Sequence, residues 1–391
     1  MSITSQRTRP RAKKPTKNAL IESKRSEAGD GFQFPAYRDR GHLFELLADP
    51  ITGPRLWTEA ACTCVDIRGA GKVPFQANNI QADYDTEVWA PGITADVVPK
   101  PRKQGFSYWR CALGSHALQY GRDGRTFRIV AHREKTIKYL NGLMQQIYRS
   151  AWNFFREMER EDPQYRPSYF MRPIKSDTMM GYTLAGDSMA VLETASGSGV
   201  GQADRTDDAY LTEATKYEDF DVVFDGIQGS MPDDAETRFT IDFNAVDGWI
   251  GTPVYPFLKN ALLPKDSPDW NGFHVFFRGI GAEPELYTPA RMARIEQRYK
   301  AIDPTGGRFR AIYPRVITDL YQQRALCVHK MAEVEACRDL TGGQYLAEFA
   351  DVRGLPMVHA VDTATGLADG DWQICSSFAL YENVVWELCP P

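Results

Sequence analysis

The clearest periodic stretch in the chain covers residues 134–160, where Ile137, Leu140, Met144, Ile147, Tyr148, Ala151, Phe155 and Met158 recur at helical spacing. Such a run lays one apolar stripe along a helix, and that stripe belongs in a core. Just before it, Arg125–His132 reads as an extended strand after a turn at Gly121–Gly124. Earlier still come a short strand over Asp96–Val98, a loop, and a helix over Tyr108–Tyr120. The succession strand, loop, helix, strand, helix predicts a parallel sheet with helices on its faces, an α/β fold.

The loop inside that succession is the second informative feature. It lies within Val97-Val98-Pro99-Lys100-Pro101-Arg102-Lys103-Gln104-Gly105-Phe106-Ser107-Tyr108-Trp109. A basic loop opening a helix offers unpaired N–H groups and the positive end of a helix dipole to a phosphate. The full phosphate-loop pattern is G-x-x-x-x-G-K-[ST]. Here Lys100 stands at the first glycine, Gly105 fits the second, Phe106 replaces the lysine and Ser107 fits the last position. Taken alone, the stretch also reads as an ordinary basic surface turn.

At 391 residues with 43% hydrophobic composition, the chain can bury a sizeable core and is long enough for two or three domains. The net charge of -5 conceals a basic segment. Residues 1–30 hold Arg7, Arg9, Arg11, Lys13, Lys14, Lys17, Lys24 and Arg25 with almost no large apolar side chains, which predicts a disordered arm able to meet nucleic acid or an acidic partner. The seven cysteines form no C-x-x-C pair, and the six histidines show no ligand spacing, so reduced, mostly core cysteines in a cytosolic protein are expected. No apolar run reaches the roughly 18 residues of a membrane span.

Elsewhere, His42–Leu47 reads as a short helix and another starts at Asn79, with Gln81 in its first turn and Tyr84, Val88 and Trp89 on one face. Pro163–Ile174 reads as a connection, Ser188–Ala195 as a strand, and Ser196–Gly201 as a Gly/Ser loop. Strand patterns follow at Asp208–Glu213, Arg238–Phe243 and His274–Phe277. Residues 288–300 and 316–338 read as helices, with a turn at Ile312–Pro314 between them. Last come a strand over Pro356–Asp362, a hairpin turn at Thr363–Gly370, a returning strand over Asp371–Leu380, and a third strand from Val384.

Three groups of residues carry chemistry. The basic loop joins Glu213, a carboxylate at the carboxyl end of a later strand, where open parallel sheets bind ligands. Lys100, Arg102 and Lys103 supply charge, Gly105 close backbone approach, and Ser107 a hydroxyl for Mg²⁺. Asp242 with Asn244-Ala245 marks another strand end, able to sense a γ-phosphate or only to cap a turn. Asp362 with Asp369 and Asp371 could share divalent metal as two-metal phosphodiester cleavage requires, although Asp369-Gly370-Asp371 is also ordinary turn chemistry.

In this order the motifs resemble the large terminase subunit of tailed bacteriophages, from about residue 30 onward. The resemblance rests on Val73-Pro74-Phe75 with Gln81, on Lys100–Ser107, on Arg128–His132, on Thr194–Gly199, on Leu211-Thr212-Glu213-Ala214, on Phe309–Pro314 and on Val361–Asp371. It implies an ATPase domain of the P-loop class with a mainly parallel sheet over residues 31–320, following the arm at 1–30. A helical linker would cover 321–350, and 351–391 would begin a ribonuclease-H-like nuclease domain. It further implies ATP and Mg²⁺ as cofactors, with Mg²⁺ or Mn²⁺ at the nuclease site.

By the same resemblance Gln81 would lie near the adenine, and Lys100, Arg102, Gly105 and Ser107 would form the phosphate loop. Glu213 would be the catalytic carboxylate, Asn244 would fall in the motif coupling hydrolysis to DNA movement, and Arg205 would be a charge-stabilising arginine. Ser107 would hold Mg²⁺, with Asp362 and Asp371 holding the nuclease metal and Asp362 catalytic there. The implied function is ATP-driven packaging of double-stranded DNA into a procapsid, with portal protein, small terminase subunit and a homo-oligomeric ring as partners, in the host cytoplasm and without membrane. The departures are Phe106 for lysine, Thr212 where a first acidic residue is expected, and a nuclease portion that reads as truncated and unable to cut DNA unaided. A non-catalytic remnant that binds DNA or the small subunit is the alternative; a helicase-like ATPase fits the Asp362 hairpin poorly.

Overall fold

The computed structural model describes residues 36–65, 72–196, 199–201, 205–234, 236–246 and 248–321, together with the backbone of three strands between residues 357 and 388. The chain divides into two compact units, residues 1–331 and 332–391. The basic arm, most of the proposed linker, and Asp369 and Asp371 lie outside the described residues.

In the first unit the helices α1 (Arg40–Ala48) and α2 (Gly53–Ala61) precede a two-stranded antiparallel ribbon of β1 (Thr63–Val65) and β2 (Lys72–Pro74). Next come α3 (Asn79–Tyr84), extended by a π-turn over Asp85–Trp89, and then β3 (Ala95–Pro99), α4 (Phe106–Tyr120), β4 (Thr126–Ala131) and α5 (Glu134–Glu161). After α6 (Pro167–Phe170) come β5 (Ile174–Thr178), β6 (Gly181–Leu184), β7 (Met189–Thr194) and β8 (Asp208–Thr212). The rest is α7 (Phe220–Ser230), β9 (Arg238–Phe243), α8 (Val254–Ala261), β10 (His274–Val275), α9 (Pro289–Lys300) and α10 (Gly307–Ile312).

Eight of these strands form one sheet in the order β10-β3-β9-β8-β4-β7-β6-β5. The six from β10 to β7 are mutually parallel, as the strand-helix alternation requires. Every residue of β4 and β8 is buried, because helices cover both faces of the sheet. Successive residues serve opposite faces: Val98, Ile129 and Tyr210 join a core with α1 to α5, whereas Val97, Val130 and Leu211 join one with α7 and α8. The apolar stripe of α5 is buried along its whole length, from Ile137 to Met158. Gly114 lets α4 approach β4 closely, since a Cβ there would stand 2.2 Å from the Phe127 ring.

The expected sheet holds, with a hairpin at its edge and with helices that were not expected, α2, α7 and α8 among them. The connection expected over Pro163–Ile174 leads into an antiparallel hairpin, β5–β6, at the sheet edge. Its edge strand Ile174–Thr178 is mostly exposed, so it lacks the apolar alternation that marks a half-buried strand. The helix α7 was also absent from the sequence reading, although Phe220, Val223 and Ile227 recur at helical spacing and are buried. Of the helix expected over 316–338, the described part is a 3-10 turn, Ile317–Tyr321.

The second unit contains an antiparallel meander of β11 (Met357–Asp362), β12 (Ile374–Tyr381) and β13 (Val384–Leu388). That is the strand, returning strand and third strand expected from the sequence. Asp362 ends β11 in register with Ile374.

Candidate functional site

The connections leaving β3 and β9, which are neighbours, run over opposite faces of the sheet, so a crevice opens at their carboxyl ends. The basic loop lies there. Between Pro99 and α4 it needs left-handed backbone at Lys103 (φ 70°) and at Gly105 (φ 76°). Glycine suits position 105 on two counts, the positive φ and a Cβ that would stand 3.0 Å from Gln81 Nε2. No side chain caps the first turn of the 15-residue α4, so its free N–H groups and dipole favour an anion there.

A layer of amides braces this loop. Asn78 and Gln81 cap α3 reciprocally: Asn78 Oδ1 accepts from Gln81 N at 3.0 Å and Gln81 Oε1 accepts from Asn78 N at 2.9 Å. Their amide nitrogens donate to the loop, Asn78 Nδ2 to Gln104 O at 2.9 Å and Gln81 Nε2 to Gly105 O at 3.1 Å. Gln104 Nε2 in turn donates to Arg278 O at 2.7 Å. Gln81, expected beside an adenine, is thus buried with its carbonyl and one amide hydrogen engaged in shaping the loop.

Lys100 is buried, forms an ion pair with Asp242 and donates to Ser107 Oγ at 3.3 Å. Phe106, in the position of the motif lysine, points instead into the core, edge-on to Tyr84 with ring centres 5.0 Å apart. The Lys100 ammonium lies 5.2 Å from the Phe106 ring centre. The cation of this loop therefore comes from upstream. Arg102 and Lys103 are exposed, with no ion-pair partner among the described residues. The backbone of Arg102 is fixed, its N–H donating to Ile312 O at 3.3 Å and its carbonyl accepting from Tyr287 Oη at 2.9 Å.

The centre of the cluster is Asp242, at the carboxyl end of β9 and fully buried. Besides Lys100 it accepts from Tyr210 Oη, from Thr212 Oγ1 at 3.0 Å and from the Glu213 N–H at 3.2 Å. Tyr210 Oη also lies 3.2 Å from Ser107 Oγ, whose hydroxyl can donate to it. Asn244, expected to couple hydrolysis to movement, here fixes the loop: its Nδ2 donates to Lys100 O at 2.5 Å, and its own carbonyl accepts from Thr215 Oγ1 at 3.1 Å.

Glu213 follows β8 in left-handed backbone, φ 59° and ψ 37°. A carboxylate residue held this way is strained, and such positions cluster where function over-determines them. Its carboxylate lies 2.8 Å from His132 Nδ1 and 3.0 Å from Lys216 Nζ. Burial pulls the His132 imidazole below its ordinary range, against the opposing pull of Glu213. His132 ends the strand pattern Arg125–His132, but only the fold reveals that it meets Glu213.

Below the cluster a buried polar group docks α4 on the sheet. Arg110, one turn after Phe106, is fully enclosed; its Nε donates to Thr240 Oγ1 at 3.0 Å and its guanidinium pairs with Asp208. Thr240 Oγ1 donates to Asp96 Oδ1 at 2.9 Å, and Tyr84 Oη donates to the same carboxylate at 3.2 Å. Burial pushes the Asp96 carboxyl up to about 7 even with Arg110 nearby.

Of the residues expected at the site, Lys100, Gly105, Ser107, Glu213 and Asn244 meet here, and Gln81 supports them from behind. Arg205 does not: it precedes β8 at the amino end of the strands and pairs with Asp207 at 2.7 Å and Asp234 at 3.5 Å. Asp362 belongs to the second unit. Among the described residues no group of three or more His, Cys, Asp or Glu side chains is placed to hold a metal.

No protein-family model and no curated protein matches this chain. Among solved structures it is similar to the large terminase ATPase domain of Thermus phage P74-26, at 14% identity and a TM-score of 0.40, over 60% of this chain and 91% of that one. It is similar to the large terminase of bacteriophage HK97, at 12% identity and a TM-score of 0.47, over 88% of this chain and 66% of that one. The large terminase of a thermophilic bacteriophage, solved in complex with ADP, is similar at 7% identity and a TM-score of 0.37, over 57% of this chain and 48% of that one.

Proposed function

We propose that the crevice at the carboxyl ends of β3, β9 and β8 binds ATP by its phosphates and hydrolyses it, and that this drives DNA packaging in the manner of a large terminase subunit. The observation that carries the catalytic part is the convergence of an uncapped helix start, the Lys100 ammonium and the Ser107 hydroxyl, with the backbone of Glu213 held against the same Asp242 that pairs with Lys100. The packaging part rests on the order of the motifs along the chain. Double-stranded DNA, a portal protein, a small terminase subunit and a ring of identical subunits are proposed partners on that basis, with the host cytoplasm as the compartment. Asp362 is proposed as a nuclease metal ligand, with Asp371, on the same ground.

The N–H groups at the start of α4 and the Lys100 ammonium would hold the β- and γ-phosphate oxygens and offset the charge that grows there during transfer. Arg102 and Lys103, exposed at the rim, raise the local concentration of an anion. A divalent cation, when bound, neutralises phosphate charge; the hard oxygen of Ser107 suits it. Glu213 is the group that orients the attacking water and accepts its proton. It can act once its carboxylate turns from His132 and Lys216 toward the phosphate end. The strained backbone at Glu213 aims that side chain, and its N–H on Asp242 ties its position to Lys100.

Steady-state ATP turnover of the purified chain, with and without double-stranded DNA, tests this reading. Replacing Lys100 and Arg102 together by alanine should lower turnover by about 10²–10³-fold, the scale for losing a preorganised charge at the transferring group. Unchanged turnover in the double variant would remove the loop from the mechanism, and a chain with no nucleotide affinity would instead favour the non-catalytic remnant.

A further inference from the structure

The site poses a question of charge. A nucleotide cation in a phosphate-loop enzyme is held by the loop hydroxyl and by a carboxylate on a neighbouring strand. On β8 the residue before Glu213 is Thr212, which carries no charge. We propose that Asp242, on β9, is the carboxylate that holds the divalent cation, and that in the nucleotide-free protein Lys100 occupies the place this cation will take. This assignment rests on the reading of the crevice as a nucleotide site.

Three observations carry it. First, Thr212 and Asp242 are directly opposite in the β8–β9 register, and Thr212 Oγ1 donates to Asp242 Oδ1 at 3.0 Å. The carboxylate has moved by one strand, roughly 4.8 Å, toward the loop; β9 lies between β8 and β3 in the sheet. Second, Asp242 lies beside the hydroxyl expected to share the ion. Lys100 Nζ touches Ser107 Oγ at 3.3 Å and Tyr210 Oη touches it at 3.2 Å, and both also donate to Asp242. A hydroxyl and a carboxylate are the hard donors that Mg²⁺ takes from a protein while it keeps water and phosphate for the rest of its shell.

Third, the charges balance only through an exchange. Tyr210, Thr212 and the Glu213 N–H are neutral donors to Asp242, so Lys100 is the one cation bonded to it among the described residues. Asp242 has no exposed side-chain surface. When Lys100 turns to a phosphate, the carboxylate loses its counter-charge in a dry site, which is strongly unfavourable. It also then faces phosphate oxygens of like sign. A divalent cation arriving with the nucleotide removes both penalties. The neutral donors keep the carboxylate oriented throughout, and the Glu213 N–H links the exchange to the catalytic carboxylate.

The test is the affinity of the full chain for a fluorescent, non-hydrolysed ATP analogue, measured in Mg²⁺ and in EDTA. The unaltered protein should bind at least about tenfold more tightly with Mg²⁺, the equivalent of one retained interaction of about 1.4 kcal/mol. Asp242→Asn, which keeps an acceptor and the shape, should bind equally in both conditions, and in EDTA at least as tightly as the unaltered chain. If Asp242→Asn keeps the full Mg²⁺ effect, or folds but binds no analogue in either condition, the assignment fails. Unaltered protein that binds no analogue at all overturns the nucleotide-site reading and this assignment with it.

A second measurement needs no variant. Protein made by cell-free synthesis with carboxyl-¹³C aspartate, loaded with Mn²⁺ and the analogue, should show a ¹³C coupling to the metal by electron-nuclear double resonance. A nucleotide-dependent Mn²⁺ signal without that coupling overturns the proposal, because Glu213 is not labelled.

Discussion

The two ends of the parallel strands are both charged, and they use that charge in opposite ways. At the amino ends Arg122, Arg125 and Arg205 pair with Asp207, Asp234 and Glu236 in a mutual network. At the carboxyl ends the Lys100–Asp242 pair stands beside an uncapped helix start, exposed Arg102 and Lys103, and left-handed backbone at Lys103 and Glu213. The amino ends have their charges answered internally. The carboxyl ends hold partners that a phosphate would compete for. Composition alone would rate the two ends alike; topology and capping distinguish them.

The contrast breaks most sharply at Glu213. Glu213→Gln keeps the size but cannot accept a proton, so turnover should fall by about 10²–10⁴-fold. Affinity for a non-hydrolysed ATP analogue should stay within about threefold, since a role made only in the transition state leaves ground-state binding intact. Parallel losses of affinity and turnover would show that Glu213 shapes the pocket and does no chemistry.

The next effect is on stability. Arg110 is wholly buried, and Arg110→Ala would leave Asp208 without its partner beneath the loop. Removing one member of such a pair costs about 3–5 kcal/mol, to be read from the denaturant midpoint at constant m-value. A loss under about 1 kcal/mol would mean that Asp208 and Thr240 find other partners and that α4 is docked mainly by Phe106 and the close approach at Gly114.

Much of this was legible in the sequence, for definable reasons. The stripe on α5, the buried strands and the order of strands and helices follow from periodicity and turn chemistry, which are local. That Lys100, Gly105 and Ser107 meet at the start of α4 was readable because they lie within eight consecutive residues ahead of and into one helix. The sequence leaves Asp242 as either a phosphate sensor or a turn cap at a strand end; its ion pair with Lys100 depends on β9 lying next to β3. That adjacency is a property of the sheet and has no local signature. His132 was hidden for the same reason, its partner Glu213 being 81 positions along the chain. Arg205 is a different case: its role as a charge-stabilising arginine came from the resemblance alone, and β8 separates it from Glu213, which leaves it at the amino end of the strands.

A smaller effect comes from acid and base. Burial pushes the Asp96 carboxyl up to about 7. Between the unfolded value of roughly 3.9 and that folded value, the native state keeps a proton that the unfolded chain has released. Stability from this group is therefore full at low pH and is lost as pH rises through about 7. Asp96→Asn cannot titrate, so its Tm should vary less between about pH 4 and 8 than that of the unaltered chain. Equal slopes would place the pH dependence elsewhere, in groups outside the layer beneath α4.

The smallest effect is expected where the charge is already answered. Arg205 is half-exposed, and its partners Asp207 and Asp234 are also served by Arg122. The Arg205 side of the pair is screened by solvent and contributes little, and the buried Asp207 keeps Arg122 and the Thr126 N–H as partners. Arg205→Ala should therefore leave Tm nearly unchanged, and turnover of the isolated chain at low concentration should match the unaltered protein. The informative measurement is turnover against protein concentration. The amino-end network could reach a neighbouring subunit's site only in an assembly. A deficit that grows as chains associate would give Arg205 a role in trans and make the two ends of the strands complementary halves of one interface. A deficit at every concentration would contradict the separation of the two ends on which the comparison rests.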